Sequence, residues 1–259
     1  MEHVTEPTAV LFGKGFNYSQ DGPGNRLVYH FAGCNMHCPW CANPEGMRTK
    51  EDLSSLRKAG FSRETVTLSE MEEEILSSTL LFFDGGGVTF TGGECTLQWE
   101  FLSEILTFLR EKQIHTAIET NATHKNLPLL FDRLSCLIAD CKHYDPETLA
   151  AVTGVTGDIV LANLRIAAER QMPLAVRIPL IHGFNDRAED LDGFLRVLVP
   201  LAEEDPYMTC ELLPYHEYGR DKWTHLSRPY TVTDGFVSPE TVKTWYQTMR
   251  EAGIPMIHT

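Results

Sequence analysis

Short apolar segments alternate with longer amphipathic segments along most of this chain, and the alternation constrains its fold more than any other feature. The apolar segments are rich in β-branched and aromatic residues, and the segments between them repeat apolar residues at helical spacing, as parallel βα units do. We predict strands at residues 27–32, 88–91, 116–119, 137–140, 175–180 and 209–213. Six βα repeats are too few for a closed eight-stranded barrel, so we expect the α/β class and an open, partial (β/α)6 barrel of TIM type.

Helices are predicted between and after these strands. A capping-box pattern, Ser69 followed by Glu72, marks the start of the first. The other helices are expected over residues 97–112, 158–170, 186–201 and 239–252. Residues 48–67 are polar and are expected to form an irregular excursion. Because no Pro- or Ser-rich linker divides the chain, we expect residues 1–259 to form a single domain.

The charge balance excludes several classes of partner. The 22 Lys and Arg against 36 Asp and Glu give a net charge of −14, which repels nucleic acid and anionic lipid when no basic cluster is present. The longest nearly apolar stretch, residues 76–83, is too short to cross a bilayer, and the acidic N-terminus does not resemble a secretory signal. We therefore expect a cytoplasmic monomer that binds neither nucleic acid nor membrane.

The cysteines indicate a metal site. Three of the seven are crowded as Cys34-x3-Cys38-x2-Cys41, and an odd number of cysteines fits a reducing compartment better than a set of disulfides. Three thiolates on one loop suit a [4Fe–4S] cluster whose fourth iron is open to a ligand. The alternative is a zinc site completed by His30 or His37, although the chain has no second Cys-x2-Cys pair.

Other reactive residues fall at the predicted carboxyl ends of strands, where the loops of a parallel βα fold converge. Glycine runs flank the second predicted strand, and they either admit a ligand close to the backbone or form turns. Asp140 and Lys142 either face a cavity or form an exposed ion pair. Arg177 lies in an apolar strand and needs an anion, which is a ligand carboxylate or an Asp or Glu. His216 contacts a ligand or is an ordinary loop histidine.

Together these segments resemble the glycyl radical enzyme activating enzymes of the radical S-adenosylmethionine (radical SAM) superfamily. The cysteine spacing is typical of the whole superfamily, and four further segments narrow the resemblance. They are Asp21-Gly22-Pro23-Gly24-Asn25-Arg26, residues 85–94, Asp140-Cys141-Lys142 and residues 211–219. They keep the family order from about residue 12 to Trp223, so the resemblance covers most of the chain.

The resemblance implies an activase. In such an enzyme, S-adenosylmethionine binds through its amino and carboxylate groups to the open iron of one [4Fe–4S] cluster, here on a loop at residues 33–44. One electron from a flavodoxin- or ferredoxin-type donor cleaves S-adenosylmethionine to methionine and a 5′-deoxyadenosyl radical, which abstracts hydrogen from a backbone glycine of a partner, a glycyl radical enzyme. No cysteine lies between Cys41 and Cys95, so the ferredoxin-like insert that some relatives carry is not expected.

The resemblance also implies roles for individual residues. Cys34, Cys38 and Cys41 are the implied catalytic cluster ligands. The residues implied around S-adenosylmethionine are Trp40, Ala42, Gly92, Gly93, Glu94, Glu119, Thr120, Asp140, Cys141, Lys142, Arg177 and His216. Those implied to meet the partner's glycine loop are Asp21, Gly22, Pro23 and Gly24. A monovalent cation is implied beside Glu119, Thr120 and Asp140, although Glu119 stands where the family has Asp, and Ala42 stands where it has His or Ser.

The residues alone leave two other functions open. A radical SAM enzyme acting on a small molecule would need the same cluster loop, but it leaves the segment at residues 21–26 without a role. A zinc-binding interaction module would need only the cysteines. Bound iron in an anaerobic preparation separates the zinc module from the other two.

Overall fold

The computed structural model describes residues 6–47 and 53–258, which form an α/β fold around a sheet of nine strands. The strands are β1 (Thr8–Tyr18), β2 (Asn25–Phe31), β3 (Glu64–Thr67), β4 (Gly87–Gly92), β5 (Thr116–Thr120), β6 (Cys136–Asp140), β7 (Leu174–Leu180), β8 (Thr209–Pro214) and β9 (Met256–Ile257). The helices are α1 (Leu53–Lys58), α2 (Leu68–Ser78), α3 (Trp99–Glu111), α4 (Pro146–Thr153), α5 (Asp158–Glu169), α6 (Ala188–Glu204), α7 (Arg220–His225) and α8 (Pro239–Glu251).

The sheet is an open barrel. Its strand order is β3-β1-β2-β4-β5-β6-β7-β8-β9, and the neighbours from β2 to β8 are parallel. These six parallel strands are the six that the sequence predicts, each within two residues at either end. Within the described residues, β3 and β9 end the strand order without pairing with each other, so the barrel stays open. The predicted fold class is confirmed.

Three strands are additional to the prediction. β1 is antiparallel to both β2 and β3, and β9 pairs with β8 over two residues. β1 was not predicted, because two glycines and a lysine interrupt its apolar pattern. β3 and α1 lie within residues 48–67, so the expected irregular excursion is wrong for the described part of that stretch, and residues 48–52 lie outside the described residues.

The predicted helices are present as α2, α3, α5, α6 and α8, whereas α4 and α7 were not predicted. The expected start of α2 at Ser69 is wrong by two residues, because Thr67 and Glu70 form a capping box directly after β3. The Thr67 hydroxyl accepts a bond from the Glu70 N–H at 3.2 Å, and the Glu70 carboxylate accepts one from the Thr67 N–H at 2.7 Å. Among the described residues, no helix is both long and apolar enough to cross a membrane.

Helix α3 illustrates how the helices are held against the sheet. One face of it is buried, comprising Phe101, Leu102, Ile105, Leu106 and Leu109. The Phe101 ring lies 6.0 Å from that of Phe31 on β2, which lies 5.7 Å from the ring of Phe90 on β4. Burial of each such side chain stabilises the fold by about 1.5–3 kcal/mol. This packing holds β2 and β4 together just before the loops that leave their carboxyl ends.

The glycine run at residues 85–87 lets strands approach one another. A Cβ atom on Gly87 would lie 1.9 Å from the carbonyl oxygen of His115, and one on Gly86 would lie 1.9 Å from that of Asn25. Gly85 adopts a φ of 78°, which favours glycine. These three glycines therefore serve the protein's own backbone rather than a ligand.

We expect Gly87→Ala to lower the free energy of unfolding by about 1–3 kcal/mol, because the added methyl group overpacks a backbone contact. Gly15→Ala is the matched control, since Gly15 is also in a strand and a Cβ atom there has no neighbour within 4 Å. Urea unfolding of both variants tests this, and equal stability of the two would contradict the assignment.

Candidate functional site

A cavity of about 250 Å³ lies at the carboxyl ends of the parallel strands. Of the residues that the sequence analysis singled out, it is lined by Cys34, Cys38, Trp40, Cys41, Ala42, Gly92, Gly93, Glu119, Thr120, Asp140, Lys142 and His216. It is also lined by Met36, Asn43, Thr91, Pro179, Ile181 and Leu213, which were not predicted as site residues. Asn121, Pro214 and Tyr215 line it too, as expected from their position beside Thr120 and His216 at the ends of strands.

The three crowded cysteines are free thiols on the loop after β2. The Met36 N–H donates to the sulfur of Cys34, and the Asn43 N–H donates to that of Cys41, both at 3.4 Å. Burial raises the pKa of the Cys34 and Cys41 thiols to about 12. A metal that binds here must therefore displace thiol protons.

The donor set fits an iron–sulfur cluster better than a zinc ion. Among the described residues, no group of three or more His, Cys, Asp or Glu side chains converges closely enough to hold a single metal ion. His37 is exposed and His30 packs against Phe12, with ring centroids 5.5 Å apart, so neither lines the cavity. A cubane cluster binds each thiolate at a different iron, so its cysteines need to surround a volume rather than a point. Cys34, Cys38 and Cys41 all line one cavity of about 250 Å³, which provides such a volume.

Asp140 and Lys142 form an ion pair inside the cavity. They alternate with Cys141 at the end of β6, and the Lys142 Nζ lies 2.5 Å from a carboxylate oxygen of Asp140. Burial lowers the pKa of Lys142, but Asp140 and then Cys38 outweigh that effect, so the pKa lies above its ordinary value. Lys142 therefore stays protonated. The alternative that both charges face a cavity is confirmed, and the exposed ion pair is wrong, because the two side chains pair with each other but are only 12% and 19% exposed.

Arg177 takes protein carboxylates as its partners. Its Nη1 lies 2.5 Å from Glu119 and its Nε lies 3.0 Å from Glu211, and its remaining nitrogen donates to the carbonyl of Gln20. Burial lowers the pKa of Arg177, but Glu119 and Glu211 raise it by more. All three guanidinium nitrogens are bound to these groups. Arg177 does not line the cavity that holds the three cysteines.

The carboxylates implied at a cation site are engaged as well. Besides its bond to Arg177, Glu119 accepts a bond from the Thr91 hydroxyl at 2.9 Å, and Asp140 is paired with Lys142. A monovalent cation at this position would have to compete with two protein cations.

Glu94 and Cys141 are buried and do not line the cavity. The fully buried Glu94 carboxylate accepts bonds from the Thr96 hydroxyl at 2.5 Å, the Thr120 hydroxyl at 2.7 Å and the Asn121 N–H at 2.7 Å. Burial raises the pKa of Glu94, and these bonds partly offset the shift. The carboxylate thus ties the end of β4 to the end of β5.

The backbone at the end of β4 has its donors occupied. The Gly93 N–H donates to Phe31 and the Glu94 N–H donates to Gly33, at 2.9 and 2.6 Å. Gly92 has a φ of 129°, and a Cβ atom there would lie 2.3 Å from Phe31 backbone atoms. A ligand ammonium group needs acceptors, so the carbonyl oxygens of this segment are the groups that could bind it.

Two aromatic groups complete the cavity. The Trp40 ring packs against Phe184, with centroids 4.7 Å apart. The His216 ring stacks on Tyr218 at 4.2 Å, and its Nδ1 accepts the Tyr218 N–H at 3.4 Å, which assigns the proton of the neutral ring to Nε2. Burial lowers the pKa of His216, so the ring is neutral at pH 7.

A segment after β8 covers the cysteine loop. Trp223 donates its indole N–H to the Cys41 carbonyl at 2.9 Å, and Lys222 lies 2.6 Å from the Glu45 carboxylate. We call residues 215–228 the covering segment. Lys222 was not predicted as a site residue, because neither its spacing nor its neighbours single it out.

The turn at residues 21–24 lies at the other end of the barrel, between β1 and β2. The backbone carbonyl of Asp21 accepts a hydrogen bond from the Thr89 hydroxyl at 2.7 Å. The Asp21 carboxylate accepts one from the side-chain amide of Asn17. Gly22 and Gly24 both have positive φ, 120° and 65°. The turn is therefore held rigidly at the amino ends of the strands.

A second cavity, of about 340 Å³, lies beside this turn. It is lined by Gly22 and Pro23 and by the first residues of β6, β7 and β8. Arg177 lines this second cavity, whereas its partner Glu119 lines the first. The ion pair between them therefore separates the cysteine cavity from the cavity at the turn.

Comparisons with known proteins agree with this geometry. Residues 28–195 match the family model described as the radical SAM superfamily. The chain is 34% identical over 220 residues to the pyruvate formate-lyase-activating enzyme of Streptococcus mutans, covering 82% of this chain and 79% of that one. It is 29% identical over 269 residues to the 4-hydroxyphenylacetate decarboxylase activating enzyme of Clostridioides difficile, covering 83% and 84%.

Solved structures have the same architecture. A domain of the pyruvate-formate lyase-activating enzyme from Bacteroides vulgatus superposes with a TM-score of 0.55 at 27% identity, covering 66% of this chain and 98% of that one. QueE from Escherichia coli superposes with a TM-score of 0.60 over 96% of this chain and 92% of that one. At 14% identity, the second similarity shows the fold alone.

We expect Cys34→Ala, Cys38→Ala and Cys41→Ala each to abolish iron binding, because each removes one of three thiolates that surround the cavity. Cys95→Ala and Cys210→Ala are controls, since both cysteines are buried elsewhere in the core. Iron analysis of anaerobically reconstituted protein tests this. Loss of iron in a control, with iron retained in the other three variants, would overturn the assignment.

Lys142→Ala is expected to weaken S-adenosylmethionine binding about tenfold to hundredfold, and His216→Ala about twofold to tenfold, while iron content stays intact. A hydrogen bond from the charged Lys142 contributes roughly 1.5–3 kcal/mol and one from the neutral His216 about 0.5–1.5 kcal/mol, and both side chains line the cavity. Calorimetric titration is the measurement, with Lys125→Ala as an exposed control. Unchanged affinity in both variants would show that S-adenosylmethionine does not bind in this cavity.

Proposed function

This chain belongs to the radical SAM superfamily and, within it, to the glycyl radical enzyme activating enzymes, and on that premise we propose a role for each part of the site. Cys34, Cys38 and Cys41 hold the [4Fe–4S] cluster, and the cavity beside them holds S-adenosylmethionine. The observation that carries the proposal is that three free cysteines and the Asp140–Lys142 pair line one cavity. When bound, the cluster supplies one electron to the sulfonium of S-adenosylmethionine, which yields methionine and a 5′-deoxyadenosyl radical.

The protein's own groups hold the cosubstrate for that step. Lys142 stays protonated and binds the methionine carboxylate, while carbonyl oxygens at Gly92 and Gly93 accept from its amino group. Trp40 packs against the adenine, and the Nε2–H of His216 donates to the ribose or the base. A neutral His216 is compatible with the positive sulfonium nearby, because it adds no like charge.

Exclusion of water is the second task of the site. A primary carbon radical takes hydrogen from any C–H group it meets, so it must form in a closed cavity against a positioned C–H bond. The covering segment, bound to the cysteine loop through Trp223 and Lys222, closes one side of that cavity. Water and stray side chains are thereby kept from the radical.

The glycine of the partner is proposed to approach from the turn at residues 21–24. Asp21 accepts amide hydrogens of the partner's loop, which lies against the turn. Arg177 couples this turn to the cosubstrate cavity, since it binds the Gln20 carbonyl on one side and Glu119 on the other. A glycine resting against the turn lies across this ion pair from the radical, so the pair must part for hydrogen abstraction.

The electron is proposed to come from a flavodoxin- or ferredoxin-type protein. The chain has seven cysteines, and the four outside the cysteine loop are scattered at 95, 136, 141 and 210. They offer no thiolate set for a relay cluster. An external one-electron carrier is therefore needed.

We expect Asp21→Ala to reduce glycyl radical formation at least tenfold while iron content and slow, uncoupled S-adenosylmethionine cleavage stay within twofold of wild type. The carboxylate is lost only where the partner's loop is proposed to bind. Electron paramagnetic resonance of anaerobic mixtures with pyruvate formate-lyase, 4-hydroxyphenylacetate decarboxylase, indoleacetate decarboxylase and choline trimethylamine-lyase is the measurement.

Asp132→Ala is the control for this experiment, because Asp132 is exposed and lies far along the chain from the turn. Equal radical yield from wild type and Asp21→Ala would show that the turn has only a structural role and that Asp21 does not bind the partner's loop. If wild type gave no radical with any of the four enzymes but still cleaved S-adenosylmethionine, a small-molecule substrate would replace the protein partner.

A further inference from the structure

Exposed apolar side chains are concentrated beside the turn at residues 21–24. We call them the outer patch, which comprises Phe16, Tyr18, Leu76, Leu80, Leu81 and Phe83. Each is at least 43% exposed, and Leu80 is 94% exposed. Large apolar side chains exposed singly are ordinary, but a group of them that forms one surface marks an interaction site. The activity proposed above uses none of these six residues.

Ring contacts join the two segments of the chain that carry the outer patch. The ring of Phe16 lies 6.4 Å from that of Phe82, and the ring of Tyr18 lies 6.1 Å from that of Phe83. The Tyr18 hydroxyl donates to Asp84 at 3.0 Å, which places an exposed carboxylate at the rim. An apolar centre with aromatic side chains and a charged rim is the usual composition of a protein–protein interface.

The patch is joined to the turn by backbone contacts. The Asn25 N–H donates to the Phe83 carbonyl at 3.0 Å, and the Asn25 side-chain amide donates to that of Leu81 at 2.8 Å. Gly24 packs so closely that a Cβ atom would lie 2.3 Å from the Phe83 carbonyl oxygen. A partner that rests on the patch is therefore held in a fixed position relative to the turn.

The strand that carries Phe16 and Tyr18 also has an open edge. β3 pairs with β1 only at Thr8–Leu11, and β2 occupies the other side of β1. Within the described residues, the outer edge of β1 from residue 12 to residue 18 pairs with no strand. Unpaired edges of this kind accept an extended segment of another chain.

We propose that the outer patch is the docking surface for the body of the protein that carries the target glycine. The inference rests on the proposed function and adds the surface outside the barrel that the partner needs. The occupant follows from continuity, since the patch adjoins the turn, the turn lines the second cavity, and Arg177 forms the wall between that cavity and the cosubstrate cavity. A partner docked on the patch can thus present a loop to the barrel without leaving the surface.

The same placement argues against the electron donor as occupant. The patch and the turn lie at the amino end of β2, whereas Cys34 lies beyond its carboxyl end. β2 has seven residues, which at about 3.3 Å per residue span roughly 20 Å. A donor on the patch would be separated from the cysteine loop by at least the length of a strand.

The test uses Leu80→Glu and Phe83→Glu in the full chain, with the enzyme that gains a glycyl radical in the panel above as partner. We expect the partner concentration that gives half-maximal radical formation to rise at least tenfold. The rate at saturating partner, iron content and uncoupled S-adenosylmethionine cleavage are expected to stay within twofold of wild type. Leu129→Glu is the matched control, since Leu129 is 63% exposed and lies outside the patch.

A short peptide copying the partner's glycine segment separates docking from chemistry. With deuterium at its glycine Cα, transfer of the label into 5′-deoxyadenosine reports hydrogen abstraction directly. Because the peptide lacks the body of the partner, Leu80→Glu and Phe83→Glu are expected to process it like wild type. If Leu80→Glu and Phe83→Glu lost as much hydrogen abstraction with the peptide as with the whole partner, the proposal would be overturned, since the patch would then act through the turn.

Three other outcomes would also overturn it. The first is an unchanged half-maximal partner concentration in both variants. The second is a defect seen with flavodoxin as donor but absent with dithionite, which would assign the patch to the electron donor. The third is a wild-type dimer in sedimentation velocity that Leu80→Glu dissociates, which would assign it to a second copy. Absence of radical from wild type with every enzyme in the panel would instead contradict the proposed function itself.

Discussion

The site depends on the burial of one positive charge. Arg177 is 9% exposed, and an unpaired charge at such a depth would cost several kcal/mol. Glu119 on β5, Glu211 on β8 and the Gln20 carbonyl before β2 each bind one of its nitrogens. A single guanidinium therefore sets the spacing of separate strands and of the turn, and it forms the partition between the two cavities. Loss of either carboxylate would leave the buried guanidinium with one fewer anionic partner.

Much of the framework could be predicted from the sequence, because fully buried parallel strands are short apolar runs bounded by loops. That pattern located all six parallel strands, and the rule that chemistry gathers at carboxyl ends brought Cys34, Asp140 and His216 to one cavity, although up to 182 residues separate them in sequence. Local patterns sufficed because each of these residues is positioned by its own strand end.

The remainder depended on contacts between distant segments. The pattern around Arg177 required an anion but could not distinguish a ligand from Glu119 and Glu211, because register between strands is a property of the folded sheet. β1 was not predicted since half of its residues face solvent and its pairing partners are remote in sequence. Lys222 lies 177 residues from Glu45, and nothing local to either residue indicates that they meet.

The covering segment has a consequence for the order in which the protein matures. Its contacts with the cysteine loop, from Trp223 to Cys41 and from Lys222 to Glu45, join the last third of the polypeptide to the first. During synthesis all three cysteines emerge well before residues 215–228, so their loop is at first uncovered on that side. The contacts that cover this side of the loop can therefore form only after the last third of the chain has been made.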